Sequence, residues 1–418
     1  MQTTAQPVAE ASATRPKTML PFILTALIFA GFNLRTVLLE VPPILPLIQR
    51  DLGLNYTATG FLNSLPLLML GAAAYPAALL IGRLGARRAM TMALASMTVL
   101  ALLRAVAPDA AWFFALTALL SLGIALGQTA APMLVQAHFP RFIGQTTAAY
   151  STGLMVGELV AASLTVPLVM PLLTGGQWRP TFIVWAVPVA LSLILWLWFV
   201  PRDMPTHSKA NSRRAESIAA PPIVLPRVRT RSSIRSWPVW QSSLILGCGS
   251  MLFFGMDTWI PVYLHHLGRS DGTLALVMLT VVQVPSSLAL TIWGQHIAGK
   301  RIGFLVGGGV ASLTMIVWFI APVGWDVLLA GMIGASSAWL FVLGLSMPPF
   351  LAKGAAVAEV SGVMLGISYL MAFVGPFLGG LLWDATGIAI SAFLPILAGC
   401  LLIVVLSAFM PDRSQEVA

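Results

Sequence analysis

Hydrophobic and polar positions in this chain fall into blocks rather than alternating. A polar stretch at residues 1–18 gives way at Met19 to an apolar run. From there, apolar segments of about twenty residues, the length needed to cross the hydrocarbon core of a bilayer, follow one another with short polar breaks. Twelve such segments are predicted, near 20–48, 57–81, 89–106, 111–136, 145–173, 180–200, 239–265, 273–294, 302–322, 327–350, 360–383 and 389–410. The narrowest breaks are Ala107–Ala110 and Val323–Asp326, where Pro108-Asp109 and Gly324 supply turn residues with a physical reason to stop a helix. The first apolar run is too long for the core of a cleaved signal peptide, and the small triplet Ala11-Ser12-Ala13 precedes it instead of following, so the first helix is expected to be retained.

The longest polar interruption, Pro201 to Pro238, divides the segments six and six. The pattern therefore predicts an all-α membrane protein with twelve transmembrane helices in two six-helix bundles. Its parts are a tail at 1–19, bundles at 20–200 and 239–410, a basic linker at 201–238 and a second tail at 411–418. Basic residues orient it. With both termini on one side, that side holds 18 Lys and Arg, including Arg83, Arg87, Arg88, Arg141, Lys300, Arg301, Lys353 and eight in the linker; the other side holds Arg50, Arg179 and Arg269. By the positive-inside rule the tails are expected to be cytoplasmic, and a bacterial inner membrane is the expected location. The basic linker reads as a solvated, orientation-setting segment in preference to an anionic-lipid contact.

Composition narrows the function. Of 418 residues 58% are hydrophobic and 9% charged, against roughly 45–50% and about 25% in soluble domains. Too few polar side chains exist to cover a globule in water. The net charge of +9 has no basic face with interleaved aromatics, so nucleic acid is not an expected partner. Cys248 and Cys400 lack metal or redox spacing, and His138, His207, His265, His266 and His296 fall at helix ends or in loops. Neither an intramembrane enzyme nor a cofactor is indicated, and no P-loop is present to couple ATP. A transporter driven by a proton or counter-substrate gradient, monomeric in the bilayer and handling a small molecule, is the expected class.

The two halves look alike. Leu126-Gly127-Gln128-Thr129-Ala130-Ala131-Pro132 matches Leu343-Gly344-Leu345-Ser346-Met347-Pro348-Pro349; Gly144 and Gly157 match Gly362 and Gly375; and Arg87-Arg88 matches Lys300-Arg301. Gly82-Arg83-Leu84-Gly85-Ala86-Arg87-Arg88 resembles the signature loop between helices 2 and 3 of the major facilitator superfamily, with Gly82 where that loop usually has an acid. Trp178-Arg179 with Phe182, and Gly375-Pro376-Phe377-Leu378-Gly379-Gly380, resemble further patterns of that superfamily. Asn33-Leu34-Arg35, followed by Pro42-Pro43 and Pro46, is similar to the branch of cyanate permeases and 2-nitroimidazole exporters, with Thr36 where that branch has a proline. Arg104, Trp259-Ile260-Pro261 with Tyr263, and Gln283 add to the similarity. The resemblance implies alternating access, a small anion such as cyanate or a nitro-heterocycle as substrate, and gating roles for Arg83, Gly85, Arg87, Arg88, Lys300 and Arg301. Two other functions remain open: a proton-driven multidrug exporter, which three intramembrane acids would suit, and a non-transporting receptor or scaffold, for which no signalling domain is evident.

Charged residues inside the spans mark the candidate site. Arg35, Glu40, Glu158 and Asp257 each cost roughly 2.5–3.5 kcal/mol at a helix centre, so they are expected to face the protein interior. Arg35 could hold a small anion through two hydrogen bonds, or could form a structural pair with one of the acids. At 100° per residue Asn33, Thr36 and Glu40 share one face and Arg35 points elsewhere, so a partner for Arg35 is expected on another helix. Glu158, Asp257 and Glu40 are candidates for carrying a coupling proton. Asn33, Thr36, Gln128, Tyr150, Trp259, Gln283 and Tyr369 complete the candidate substrate contacts, each alternatively a helix-to-helix hydrogen-bonding residue.

Overall fold

The computed structural model describes residues 20–139, 142–200, 236–297, 299–322, 324–352 and 356–412. The N-terminal tail, most of the basic linker, Arg141, Lys353 and the last six residues lie outside the described residues. Every regular element among the described residues is helical. We number the spans α1 (Leu20–Leu39, extended through Leu45–Asp51), α2 (Tyr56–Leu84), α3 (Ala86–Ala105), α4 (Ala110–His138), α5 (Ile143–Leu164), α6 (Thr181–Phe199) and α7 (Trp237–His266). The remainder are α8 (Gly272–Val281 and Gln283–Ile297), α9 (Arg301–Ile320), α10 (Asp326–Leu345), α11 (Ala356–Thr386) and α12 (Leu394–Ala408). Among the described residues, eleven helices are long and apolar enough to cross a membrane, and twelve when the two arms of α2, bent by 59° at a break just before Pro76, count as one span.

Proline explains the irregular places. Pro42 and Pro43 force a single 3-10 turn between the two parts of α1. Pro285 has no N–H to donate to the Val281 carbonyl, and α8 breaks at Val282, three residues before the proline. The expected turns stand where the sequence puts them: Asp109 accepts the Trp112 amide at 2.9 Å to cap α4, and Gly324 takes φ 107° before α10.

Helices α1 to α6 pack together and so do α7 to α12; the halves meet chiefly where α2 lies against α11 and α5 against α8. Two apolar cores result. One runs from Ile23 and Leu27 through Met97 and Ile124 within the first half. The other fills the second half and continues into Ile44, Leu45, Ile48, Phe113 and Phe182 of the first. Those five residues lie at the face where α1 ends, here the distal face; the face where α1 begins is the terminal face. Distal closure is thus built from both halves. Leu102, Leu172, Trp198, Ile320 and Phe409 point outward, as expected where lipid is the solvent.

Candidate functional site

Helix α1 can approach α5 closely because α5 offers glycine: a Cβ at Gly157 would stand 2.1 Å from the Phe32 carbonyl oxygen. The next residue, Glu158, is thereby set against Arg35, with Arg35 Nη1 4.0 Å from Glu158 Oε2. The partner of Arg35 is on another helix, as the helical wheel requires. The two side chains are 20% and 13% exposed, so water reaches the pair. Tyr150, two turns nearer the start of α5, lies over Gly31 with its buried hydroxyl unpaired, close enough to interact with Arg35 and with Tyr369 of α11.

Arg35 and Glu158 stand in the wall of a cavity of about 310 Å³ between the halves, which extends toward the terminal face. Gln283 enters this wall beside the break in α8, sharing it with Glu158 while its side-chain amide donates to the Leu279 carbonyl at 3.3 Å. The opposite wall mixes small hydroxyls, Ser250 and Ser337, with the rings of Phe253, Phe254 and Phe341. Ser250 Oγ also meets Ser368 Oγ of α11 at 2.5 Å. Asp257 lies on α7 two turns distal to Ser250; it is 3% exposed, its Oδ2 has no hydrogen-bond partner, and its charge interacts with that of Glu158. Asn63 of α2 reaches the same region, donating to Thr258 Oγ1, the residue next to Asp257, at 2.7 Å.

Several expected contacts are elsewhere. Asn33 donates to the Phe29 carbonyl at 2.8 Å, and Thr36 donates to Phe32 at 2.8 Å and to Gly157 at 3.3 Å; both are fully buried between helices, away from the cavity wall. Trp259 is fully buried in the closed distal half, its ring 5.6 Å from that of Trp383, and Gln128 is half-buried on α4; neither lines the cavity. Glu40 is paired with Arg104 at 3.1 Å, both essentially without solvent. Arg87 Nε donates to the Val200 carbonyl at 2.8 Å, satisfying the end of α6. Arg301, through its amide, is capped by Asp412 at 2.8 Å. Gly85 turns the chain with φ 83°, and Arg83, Arg88 and Lys300 are exposed.

The sequence reading missed Asn63, Ser250 and Ser337. Their only signal is a polar group in an apolar span, which many other Ser and Thr residues of the chain share.

A family model described as Major Facilitator Superfamily matches residues 22–379. The chain is 26% identical over 380 residues to the 2-nitroimidazole transporter of Escherichia coli (strain K12), covering 87% of this chain and 89% of that one. It is 25% identical over 370 residues to the cyanate transport protein CynX of the same organism, covering 87% and 91%. Among solved structures, a bacterial homolog of the human lysosomal transporter Spinster superposes with a TM-score of 0.74 at 14% identity, over 96% of this chain and 100% of that one.

Proposed function

Because the chain belongs to the Major Facilitator Superfamily, and is an integral membrane transporter of small molecules and not an enzyme, we propose a specific cargo and cycle for it. It carries a singly anionic or nitro-substituted ring compound across the bacterial inner membrane by alternating access. The bundles at 20–200 and 239–410 rock as units about the cavity, the terminal face is cytoplasmic, and the monomer is the working unit. The observation that carries this reading is the Arg35–Glu158 pair, 4.0 Å apart in the wall of a cavity of about 310 Å³.

Size favours a ring over cyanate. A water occupies about 30 Å³, and a three-atom anion is not much larger, so cyanate would leave most of the cavity to solvent. A substituted ring can place its polar group on Arg35 and its face against Phe253, Phe254 or Phe341. A lipophilic cation would meet the fixed charge of Arg35, which counts against the multidrug reading.

The same pair suggests how a proton could be coupled. An anion drawn to Arg35 comes beside Glu158, and two like charges 4 Å apart at an effective dielectric constant of 20 repel by about 4 kcal/mol. Protonating Glu158 removes that term, so anion and proton bind cooperatively, each raising the affinity for the other by the same factor. Asp257, close by and without a partner on Oδ2, can take the proton onward. Glu40 is the third candidate, and its closed pairing with Arg104 makes it the weakest of the three.

Uptake and counterflow in proteoliposomes test the reading, with 2-nitroimidazole, cyanate and a lipophilic cationic drug as the panel. Counterflow of the nitro-heterocycle, lost in Arg35→Ala, is the expected result. Transport of the cationic drug alone would establish the exporter reading in its place.

A further inference from the structure

Far from the cavity, at the distal face, the first turn of α2 is held by a side chain of the other half. Asp384, in the last turn of α11, accepts three hydrogen bonds: Oδ1 from the Tyr56 amide at 3.0 Å, and Oδ2 from the Thr57 amide at 2.7 Å and the Thr57 hydroxyl at 2.6 Å. A helix start leaves its first N–H groups without intrahelical partners and carries partial positive charge. Here a carboxylate from across the domain boundary satisfies two of those groups and faces that charge. Asn55, the ordinary cap of α2, is engaged separately with the Ala58 amide at 2.8 Å.

An aromatic cluster surrounds the contact. Tyr56 stacks on Trp383, with ring centroids 3.8 Å apart and planes 9° from parallel. His266 of α7 stands edge-on to Trp383 at 5.3 Å, and its Nδ1 is 3.4 Å from the Tyr56 hydroxyl. The backbones themselves touch: a Cβ at Gly380 would lie 2.2 Å from the Tyr56 carbonyl oxygen. None of these groups lines the cavity. The contacts of Tyr56 and Thr57 with Asp384, Trp383, Gly380 and His266 join opposite halves, whereas His266 against Trp383 lies within the second half; a motion that opens the distal face must break the former.

We infer that Asp384 is the polar latch of the distal face, a positioning residue whose release from Tyr56 and Thr57 is required for the cavity to open on that side. This rests on the alternating-access reading. The charge-assisted bonds are made only in the distally closed state, so removing them shifts the equilibrium toward the open one and leaves substrate contacts untouched. Loss of the carboxylate is expected to raise the ratio of open to closed molecules about tenfold, the equivalent of about 1.4 kcal/mol.

The test is pulsed electron resonance on the full chain in lipid nanodiscs. Spin labels are placed at Arg50→Cys and Ser270→Cys, on distal loops of opposite halves, with Cys248 and Cys400 replaced by Ala. In the parent, a short distance should dominate with a minor longer one. Asp384→Ala should raise the ratio of the longer to the shorter population about tenfold, Thr57→Val by a smaller factor, and Asp384→Glu should restore the parent distribution. Thermal stability of each variant near the parent's shows that the shift is not unfolding. A parent with two populations whose ratio Asp384→Ala leaves unchanged would overturn the latch alone. A parent with one distance under every substrate and pH condition, and no transport, would overturn the alternating-access reading and the latch with it.

Discussion

Glu40 and Arg104 form an ion pair of 3.1 Å from which water is shut out, joining α1 to α3 in the distal half of the first bundle. The guanidinium is roofed by two rings, its Cζ lying 5.1 Å from the centroid of Phe113 and 4.3 Å from that of Phe182. The Arg35–Glu158 pair has the same chemistry in the opposite setting, being longer, wetter and set in a cavity wall. A closed pair serves packing, and an open one can exchange its partner for a ligand.

The first prediction follows from that contrast. Removing one member of a dry pair strands the other charge, at a cost of about 3–5 kcal/mol, whereas replacing both with apolar residues of similar volume is often neutral. Glu40→Ala is therefore expected to lower thermal stability in detergent severely, and Glu40→Leu combined with Arg104→Met to recover most of it. A double-mutant cycle on the unfolding temperature measures the coupling. Retention of parental stability in Glu40→Ala would mean that the acid is free to titrate.

Arg35 should behave differently. Arg35→Ala is expected to leave stability near that of the parent and to abolish substrate binding, measured by ligand-induced thermal shift and by counterflow. Arg35→Lys is expected to restore binding poorly, because a point ammonium cannot reproduce two parallel hydrogen bonds. Unchanged affinity in Arg35→Ala would make the residue structural.

What the sequence made legible, and what it did not, divides along physical lines. Span lengths and helix breaks are local properties, so Pro108-Asp109 and Gly324 could be read directly. That Arg35 must pair off its own helix was likewise a matter of 100° per residue. The Glu40–Arg104 pair was not legible, because 64 residues separate the partners and only the arrangement of the bundle brings them together. Trp259 shows the limit for aromatics: a ring in an apolar span reads the same whether it lines a cavity or fills a closed half. Ser250 and Ser337 were hidden among self-satisfied hydroxyls. Ser64, Thr117, Ser121 and Thr280 all donate to the carbonyl one turn back, so a hydroxyl in a span says little about a cavity.

Orientation in the membrane rests on the uneven distribution of basic residues, most of which belong to segments outside the described residues. It is tested by thiol accessibility in a background lacking Cys248 and Cys400. A thiol at Ser212, in the linker, is expected to be shielded from an impermeant reagent in intact cells, and one at Ser270 to react. The reverse pattern would invert the topology and place the Asp384 contact on the cytoplasmic side.

The final prediction concerns the coupling proton. Moving one charge across the membrane potential is worth about 2.3 kcal/mol per 100 mV, more than a tenfold concentration gradient, so one titrating acid suffices to drive accumulation. The acid must release its proton on the alkaline side, and therefore cannot stay locked to a cation throughout the cycle. Glu158, 4.0 Å from Arg35 and partly hydrated, meets that condition once a substrate anion competes for the guanidinium. Asp257, with Oδ2 unpaired, meets it without help. Glu158→Gln or Asp257→Asn at the true coupling site is expected to abolish pH-driven accumulation while exchange of substrate down its own gradient persists, both read in the same proteoliposomes. A structural acid would lose both activities together with folded protein. If each single neutralisation accumulates substrate at the parental level under a pH gradient, neither acid carries the proton, and transport without proton coupling becomes the better account.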